Sequence, residues 1–483
     1  LGSIGVFTPS KDILVRIGAL GSRLRLGQAN TQQVLNTGGF TSFAGPSVSP
    51  AYLGVGYIIG PRLAALQFSG SVIAWGLLVP LLIFLLGPQL QTFLPAGVHD
   101  DSWVGISGDV WKYIVRPIAV GGMLVGAAYT LWRMRKNLFT GLFRAFAEIR
   151  QKAEEREQLV RTERYMSSKV VLSLIGVVFA AMIVLYIYFS GNVLAGVLAA
   201  VVMLVLGFFF ATVSGHLVGI IGSSNNPISG LTLCTLLAAA ILMVSLGIGG
   251  AAGVVAVLGV AAVVCVSSAV AGELLQDFKV GYMLGGTPRN IQIVELIAVL
   301  VASCVMYFPL ALLYQNNLAS GGTGFGDRAL AAPQAGLMAL LAQGIVGGDM
   351  PWALVLVGIL MGVAMIMLDI KSPMLVAVGM YLPIETTFAI FVGGLFRAAS
   401  DYLVKRKGLN EAQSARVENS GILIGSGLIA GEAILGLVWA ALSPSWKNGL
   451  IVSHHPSYLV GLAFMALLGF VMIRVPFRAA GSP

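Results

Sequence analysis

The stretch from Pro333 to Arg397 reads PQAGLMALLAQGIVGGDMPWALVLVGILMGVAMIMLDIKSPMLVAVGMYLPIETTFAIFVGGLFR. Most of it is apolar enough to lie in lipid, yet it contains four charged side chains: Asp349, Asp369, Lys371 and Glu385. Glycines and prolines that break helices also interrupt it, at Gly347, Gly348, Pro351, Pro373 and Pro383. A charge inside a bilayer costs about 2.5 to over 10 kcal/mol, and a broken helix at membrane depth must be covered by protein or line a watery cavity. The combination favours a transport pathway.

The charged residues of this stretch do not all carry equal weight. Asp349 and Lys371 have a second interpretation, in which they mark helix ends at the membrane interface. Glu385 is harder to explain in this way, because long uncharged runs separate it from Lys371 and from Arg397. Pro383, which precedes it, lacks an N–H and therefore frees a carbonyl in the preceding turn. Glu385 is the strongest functional candidate on these grounds.

The composition of the whole chain indicates a polytopic membrane protein. Of its 483 residues 57% are hydrophobic and 10% are charged, and the mean hydropathy is +0.90, which exceeds what a soluble domain needs. We therefore predict an all-α transmembrane helical bundle. A net charge of +9 is better explained by basic cytoplasmic loops than by nucleic-acid binding, so we expect the lipid bilayer and no nucleic acid as a partner.

The pattern along the chain divides it into four parts. Residues 1–48 form a basic segment that suits the membrane interface or a plain tether. Residues 49–132 form a first transmembrane group with a broken helix, and residues 170–483 form a second group. Between them, residues 133–169 hold ten Lys or Arg and five Glu, which predicts an amphipathic helix on the cytoplasmic side. We count about twelve membrane crossings from the hydropathy.

An internal repeat relates the two broken segments. With an offset of 323 residues, residues 49–70 and 372–393 agree at six of 22 positions, among them Ser49 with Ser372 and Gly56 with Gly379. Arg62 falls opposite Glu385. Broken helices at corresponding places of two repeats are a pointer to the binding site of a transporter, although chance similarity between two glycine-rich apolar segments is the alternative.

Four separated motifs resemble the oligopeptide transporter (OPT) superfamily, which includes the yellow-stripe-like metal–chelate transporters. They are NNPISG (225–230), DFKVGYMLGGTPRNIQ (277–292), PQAGLMALLAQGIVGGDMPW (333–352) and SPMLVAVGMYLPIETTFAIFVGG (372–394), and the similarity runs from about residue 48 to the end. The resemblance implies an OPT-like fold, further spans before residue 48, a location in the plasma (inner) membrane, and proton-driven import of small peptides or peptide-like metal chelates. We expect that the protein needs no cofactor and that a proton gradient is its energy source. A homodimer is a candidate for its assembly state.

Three groups of residues are candidates for the transport site. Substrate-binding candidates come from the broken segments and the NNPISG turn: Tyr57, Asn225, Asn226, Ser229, Tyr381 and Glu385. Carboxylates that can titrate along the path are Glu385, Glu432, Asp277, Glu273 and Asp349. Gating or ion-pair candidates are Arg62, Lys371 and Asp369. We predict neither catalytic residues nor a metal site, because no convergent set of such side chains is visible, and therefore no enzyme.

Several of these residues have plainer interpretations. Glu273 and Asp277 also fit a cytoplasmic helix end, and Glu432 also fits a hydrogen bond to a neighbouring helix. For Glu385 and Arg62 we expect a pairing in one conformation of the protein, which would couple proton release to substrate movement. A channel or a polytopic membrane enzyme is the alternative function class.

The topology gives a first test. A single cysteine introduced at Glu155, in a background without Cys234, Cys265 and Cys304, is expected to react with an impermeant thiol reagent only when the reagent has access to the cytoplasmic side. Labelling of that cysteine from outside intact cells would overturn the predicted orientation.

Overall fold

A computed structural model describes residues 6–26, 33–91, 102–149, 160–221, 228–326, 330, 332–348, 351–442 and 456–479. Within these residues ten helices are long and apolar enough to cross a membrane by length and composition, and three shorter apolar helices accompany them. The predicted all-α polytopic architecture is thereby confirmed. The predicted residues Asn225, Asn226 and Asp349 lie outside the described residues.

The elements follow one another in the order β1, β2 and α1 to α16. They are β1 (Asp12–Leu26), β2 (Gln33–Ala44), α1 (Pro50–Ile59), α2 (Pro61–Ser71), α3 (Val79–Gln91), α4 (Ser102–Val110), α5 (Arg116–Ile149), α6 (Ser168–Ser190), α7 (Val193–Ile221), α8 (Ile228–Ser245), α9 (Gly250–Met283), α10 (Pro288–Ala319), α11 (Pro333–Gly347), α12 (Trp352–Met367), α13 (Pro373–Tyr381), α14 (Ile384–Arg406), α15 (Glu411–Ala441) and α16 (Tyr458–Ala479). Two π-helical segments, Val72–Leu78 and Trp111–Val115, lead into α3 and α5.

The helices form two compact units. The first contains Leu1–Val125, Gln315–Ser320 and Ala353–Pro483, and the second contains Gly126–Tyr314 and Gly321–Trp352. The first unit thus combines the predicted first transmembrane group with the C-terminal part of the predicted second group. Residues 133–149, the start of the predicted amphipathic segment, lie in α5. The end of the preceding predicted span lies in the same helix.

The N-terminal segment forms a β-hairpin, which we did not predict. Strands β1 and β2 pair antiparallel from Asp12 opposite Ala44 to Leu26 opposite Gln33, with two irregularities in register. The stretch of β2 around Gly39 is buried because α3 and α4 cover it. The ring of Trp103 occupies the space that a side chain at position 39 would need. The Ser107 hydroxyl accepts a hydrogen bond from the N–H of Ser42 at 3.2 Å. Small and β-branched polar residues suit such a covered strand, whereas a search for long apolar runs does not detect them.

The two predicted repeats fold into matching pairs of broken helices in the first unit. Helix α1 begins at Pro50 after Ser49, and α13 begins at Pro373 after Ser372. The second helix of each pair begins at Pro61 and at Ile384, again 323 residues apart. The repeat that the sequence indicated therefore extends to the element boundaries.

The glycines of the repeats make reciprocal backbone contacts. A Cβ atom on Gly56 would collide with the carbonyl oxygen of Ile390, and a Cβ atom on Gly379 would collide with the carbonyl oxygen of Gln67. Gly56 and Gly379 occupy equivalent positions in the two repeats, and so do Gln67 and Ile390. The crossing of α1 with α14 is thus repeated in the crossing of α13 with α2.

A second reciprocal pair extends this symmetry. Gly70 lies against the carbonyl oxygen of Val376, and its equivalent Gly393 lies against the carbonyl oxygen of Leu53. The equivalent residues Phe68 and Phe391 stack on each other, with ring centroids 4.9 Å apart and planes 11° apart. Contacts that exchange equivalent residues in this way indicate a pseudo-two-fold axis passing near the stacked pair.

The second unit is built around α7 and α9, with α6, α8 and α11 packed on them. Small residues again permit close packing, for example Gly253 of α9 against the side chain of Val346 in α11. Helix α10 exposes large apolar side chains such as Leu300, Val301 and Phe308. An exposed apolar surface of this kind is expected where a helix faces lipid.

The repeat crossing predicts a specific sensitivity to side-chain size. Gly379→Ala places a methyl group on the backbone carbonyl of Gln67, which cannot move aside as a side chain can, so we expect a loss of stability at the upper end of the roughly 1–3 kcal/mol typical of overpacking. Gly427→Ala in α15 is the matched control, because nothing lies within 4 Å of its Cβ position. Thermal unfolding of the purified variants in detergent measures the difference. Equal unfolding temperatures for the two variants would contradict the crossing.

Candidate functional site

The break between α13 and α14 is held by side chains from other helices. Pro383 has no N–H to give to the carbonyl of Gly379, four residues earlier. The hydroxyl of Ser71 donates to that carbonyl at 2.6 Å, and the indole Nε1 of Trp111 donates to the next carbonyl, that of Met380, at 3.0 Å. The backbone groups freed by the proline are therefore satisfied without water, as a break within lipid requires.

A short chain of hydroxyls leads from this break into α14. The Thr387 hydroxyl donates to the Ser71 oxygen at 2.6 Å, and both side chains are 0% exposed. At the equivalent break in the first repeat Gly60 retains its N–H, which donates to the carbonyl of Gly56 at 3.1 Å. The first break thus keeps this backbone hydrogen bond, whereas the second uses polar side chains in its place.

Glu385 lies in the first turn of α14, directly after this break, and is 7% exposed. The N-terminal end of a helix favours a negative charge. The backbone carbonyl of Glu385 accepts the N–H of Ser47 at 2.9 Å, which joins the break to the segment that leads into α1. Glu385 was predicted to lie directly after a helix break, and the structure places it there.

Tyr52 brings together two predicted carboxylates. Its hydroxyl is hydrogen-bonded to the side chain of Thr386 and lies within electrostatic range of both Glu385 and Glu432. Glu385 comes from α14 and Glu432 from α15, so carboxylates of two different helices act electrostatically on Tyr52 of α1. Tyr52 was not among the candidates, because one tyrosine in an apolar run carries no signal of this kind.

Glu432 caps the first broken helix. Both of its carboxylate oxygens lie 2.9 Å from the hydroxyl of Ser49, and one of them accepts the N–H of Ala51 at 2.6 Å. A carboxylate there stabilises the unpaired N–H groups at the start of α1. The equivalent Ser372 makes no capping hydrogen bond through its side chain. The plainer interpretation, a hydrogen bond to a neighbouring helix, describes this geometry, and a role in proton coupling stays a prediction.

Tyr57 lies in a packed cluster. It is 1% exposed, and the guanidinium of Arg397 lies 5.6 Å from its ring centre. Arg397 in turn pairs with Asp401 at 2.9 Å and with Glu418 at 2.8 Å. In this conformation Tyr57 packs against other side chains of the first unit, so contact with a substrate would require a rearrangement.

Tyr381 contacts a residue that the sequence analysis overlooked. The guanidinium carbon of Arg116, at the start of α5, lies 4.2 Å from the centre of the Tyr381 ring and 4.7 Å from that of Trp111. Both rings belong to the break, because Tyr381 ends α13 and Trp111 caps Met380. Arg116 was not among the residues singled out from the sequence, and only the fold brings it to the break.

The remaining candidates are spread over both units. Arg62 is exposed in the first turn of α2, and Asp369 and Lys371 are exposed in the turn between α12 and α13. Ser229 is half-buried in the first turn of α8, and Glu273 and Asp277 are exposed on α9, all in the second unit. Of the predicted residues, Tyr57, Tyr381 and Glu385 lie in the broken helices of the first unit, and Glu432 contacts the start of α1. Pairing of Arg62 with Glu385 in another conformation stays a prediction.

Known proteins resemble this chain over most of its length. A Haemophilus influenzae protein named "Putative oligopeptide transporter" is 28% identical over 426 residues, which cover 81% of this chain and 65% of that protein. A Saccharomyces cerevisiae protein of the same description is 23% identical over 448 residues, or 81% of this chain and 57% of its own length. The chain thus spans less than two thirds of either relative. No solved structure matches it significantly.

A family model provides the broader comparison. The model described as OPT oligopeptide transporter protein matches residues 28–443, which include both broken helix pairs and all four motifs that first indicated the resemblance. Because the match covers well over half of its residues, the chain belongs to the OPT oligopeptide transporter family.

Proposed function

We propose that this chain is a secondary active transporter of the plasma (inner) membrane that imports small oligopeptides or peptide-like metal chelates and uses a proton gradient as its energy source. The observation that carries the proposal is the buried Glu385 beside a helix break that the chain stabilises with dedicated side chains. A buried carboxylate and a broken helix are each costly in lipid. Their combination at one place is expected where a polar solute crosses.

Proton coupling rests on the carboxylates around Tyr52. Glu385 is buried and Glu432 caps α1, so a change in the charge of either group would alter contacts that hold a broken helix in place. Such a change can shift the balance between two conformations of a transporter. The cap at α1 is a concrete link, because loss of the Glu432 charge would weaken its bonds to Ser49 and Ala51.

The proposed substrate is a short peptide or a peptide-like metal chelate. The family description and the names of both relatives favour peptides. Glu385 supplies a negative charge, which suits the amino terminus of a peptide or the amine of a chelator, and the hydroxyls of Tyr52 and Thr386 can bond to amides. A channel for small solutes and a membrane enzyme remain the alternative classes, and uptake measurements separate them from the transporter.

Uptake into proteoliposomes tests the proposal directly. Labelled dipeptides to hexapeptides and iron–chelate complexes are offered with and without an inward proton gradient. We expect saturable uptake of peptides that exceeds equilibrium only when the gradient is present. Flux that does not saturate would favour a channel, and uptake that ignores the gradient would contradict proton coupling.

Replacement of Glu385 isolates the coupling step. We expect Glu385→Gln to fold and to exchange labelled for unlabelled peptide, but to lose accumulation against a gradient, because the amide keeps the shape of the side chain and cannot carry the proton. Glu411→Gln is the matched control, since Glu411 also lies in the first turn of a helix but is exposed. A Glu385→Gln variant that concentrates peptide as well as the Glu411→Gln control would show that Glu385 has no coupling role.

A further inference from the structure

Arg116 is a charged residue that the protein leaves without a counter-ion among the described residues. It is half-buried at the start of α5, in a helix that is long and apolar enough to cross a membrane. Its Nε atom is buried and has no hydrogen-bond partner in the described part of the chain. An ionisable side chain within a membrane span is costly and is usually kept for function.

The comparison with Arg397 makes this arrangement specific. Arg397, in the same unit, donates to Asp401 at 2.9 Å and to Glu418 at 2.8 Å, so two carboxylates neutralise it. The guanidinium carbon of Arg116 instead lies 4.2 Å from the ring centre of Tyr381 and 4.7 Å from that of Trp111. Aromatic faces attract the cation, but they leave the Nε–H of Arg116 without an acceptor among the described residues.

The carbonyls at the end of α13 do not supply that acceptor. The two that the break frees already accept hydrogen bonds, Gly379 from Ser71 and Met380 from Trp111. A second donor in the same aromatic cluster also lacks a partner among the described residues: the buried indole Nε1 of Trp75, whose ring lies 5.3 Å from that of Trp111. Donors without acceptors, next to a fixed positive charge, suit a ligand group that only accepts hydrogen bonds and is negatively charged.

We propose that Arg116 binds a carboxylate of the transported substrate, namely the C-terminal carboxylate in the case of a short peptide. This inference rests on the proposed transport function and assigns one subsite within it. The planar guanidinium can donate two parallel hydrogen bonds to a carboxylate. The rings of Tyr381 and Trp111 hold the guanidinium at the break, and Glu385, four residues beyond Tyr381, offers the opposite charge for an amine.

A pair of ligands that differ only at the carboxylate tests the assignment. Trialanine and its C-terminal amide are compared as competitors of labelled peptide uptake, and their binding to the purified protein in detergent is measured separately. We expect the wild-type protein to bind the acid about 10- to 100-fold more tightly than the amide, the range for one charge-assisted interaction. Arg116→Gln is expected to weaken binding of the acid to the level of the amide and to leave the amide unchanged.

Two further variants keep the test decisive. Arg416→Gln removes an exposed arginine of α15 and is expected to retain the preference for the acid. Arg116→Lys keeps the positive charge but lacks the planar guanidinium, so we expect a preference for the acid between those of the wild-type protein and Arg116→Gln. If Arg116→Gln does not fold, Arg116→Lys takes its place in the test.

The outcomes separate this inference from the transport function. Uptake of peptide by the wild-type protein would support the transport function. The proposed subsite would nevertheless be wrong if either Arg116 variant kept the full preference for the acid, or if it bound the acid and the amide more weakly by the same factor. Equal binding of acid and amide by the wild-type protein would also overturn the subsite. If the wild-type protein takes up neither peptides nor chelates, the proposed function itself fails. Metal chelates with free carboxylates are compared with the same chelates as esters in the same binding measurement. The comparison shows whether a peptide or a chelate supplies the carboxylate that Arg116 binds.

Discussion

The close approach of helix backbones at the repeat crossing is the constraint on which the first unit depends. At Gly56, Gly70, Gly379 and Gly393 there is no room for a Cβ atom, because a carbonyl oxygen of the partner helix occupies that space. In lipid the hydrophobic effect does not drive helices together, so close packing and polar contacts must hold them. The glycines permit this packing, and the symmetry of the contacts places the two breaks in equivalent positions.

The two breaks have then diverged in chemistry. At the first break, Gly60 has an N–H and keeps the backbone hydrogen bond to Gly56. The residue equivalent to Ser71 in the second repeat is Gly394, which has no side chain that could bond to the first break. Pro383 removes the corresponding bond at the second break, and Ser71 and Trp111 replace it. Side chains that cap a backbone can also be released from it, and we therefore propose the second break as the place where a substrate or a proton acts on the fold. Glu385 and Arg116 lie beside that break with opposite charges.

The features that the sequence predicted correctly are those carried by local chemistry. Long apolar runs predicted the helices, Pro373 and Pro383 predicted helix breaks, and the agreement of residues 49–70 with residues 372–393 predicted the repeat. The β-hairpin was missed because its buried strand is rich in Gly, Thr and Ser, which hydropathy does not distinguish from a loop. Arg116 was missed because its partners, Tyr381 and Trp111, come together only through the fold. Glu432 had two interpretations before the fold was known, and only the position of Ser49 shows which contacts its carboxylate makes.

A structure of the protein with trialanine bound would test the central claim, that the break between α13 and α14 receives the substrate, most directly. The account predicts that the peptide contacts this break, with its carboxylate on the guanidinium of Arg116 and its amino terminus directed towards Glu385. A peptide bound without contact to either residue, for example entirely within the second unit, would contradict the account.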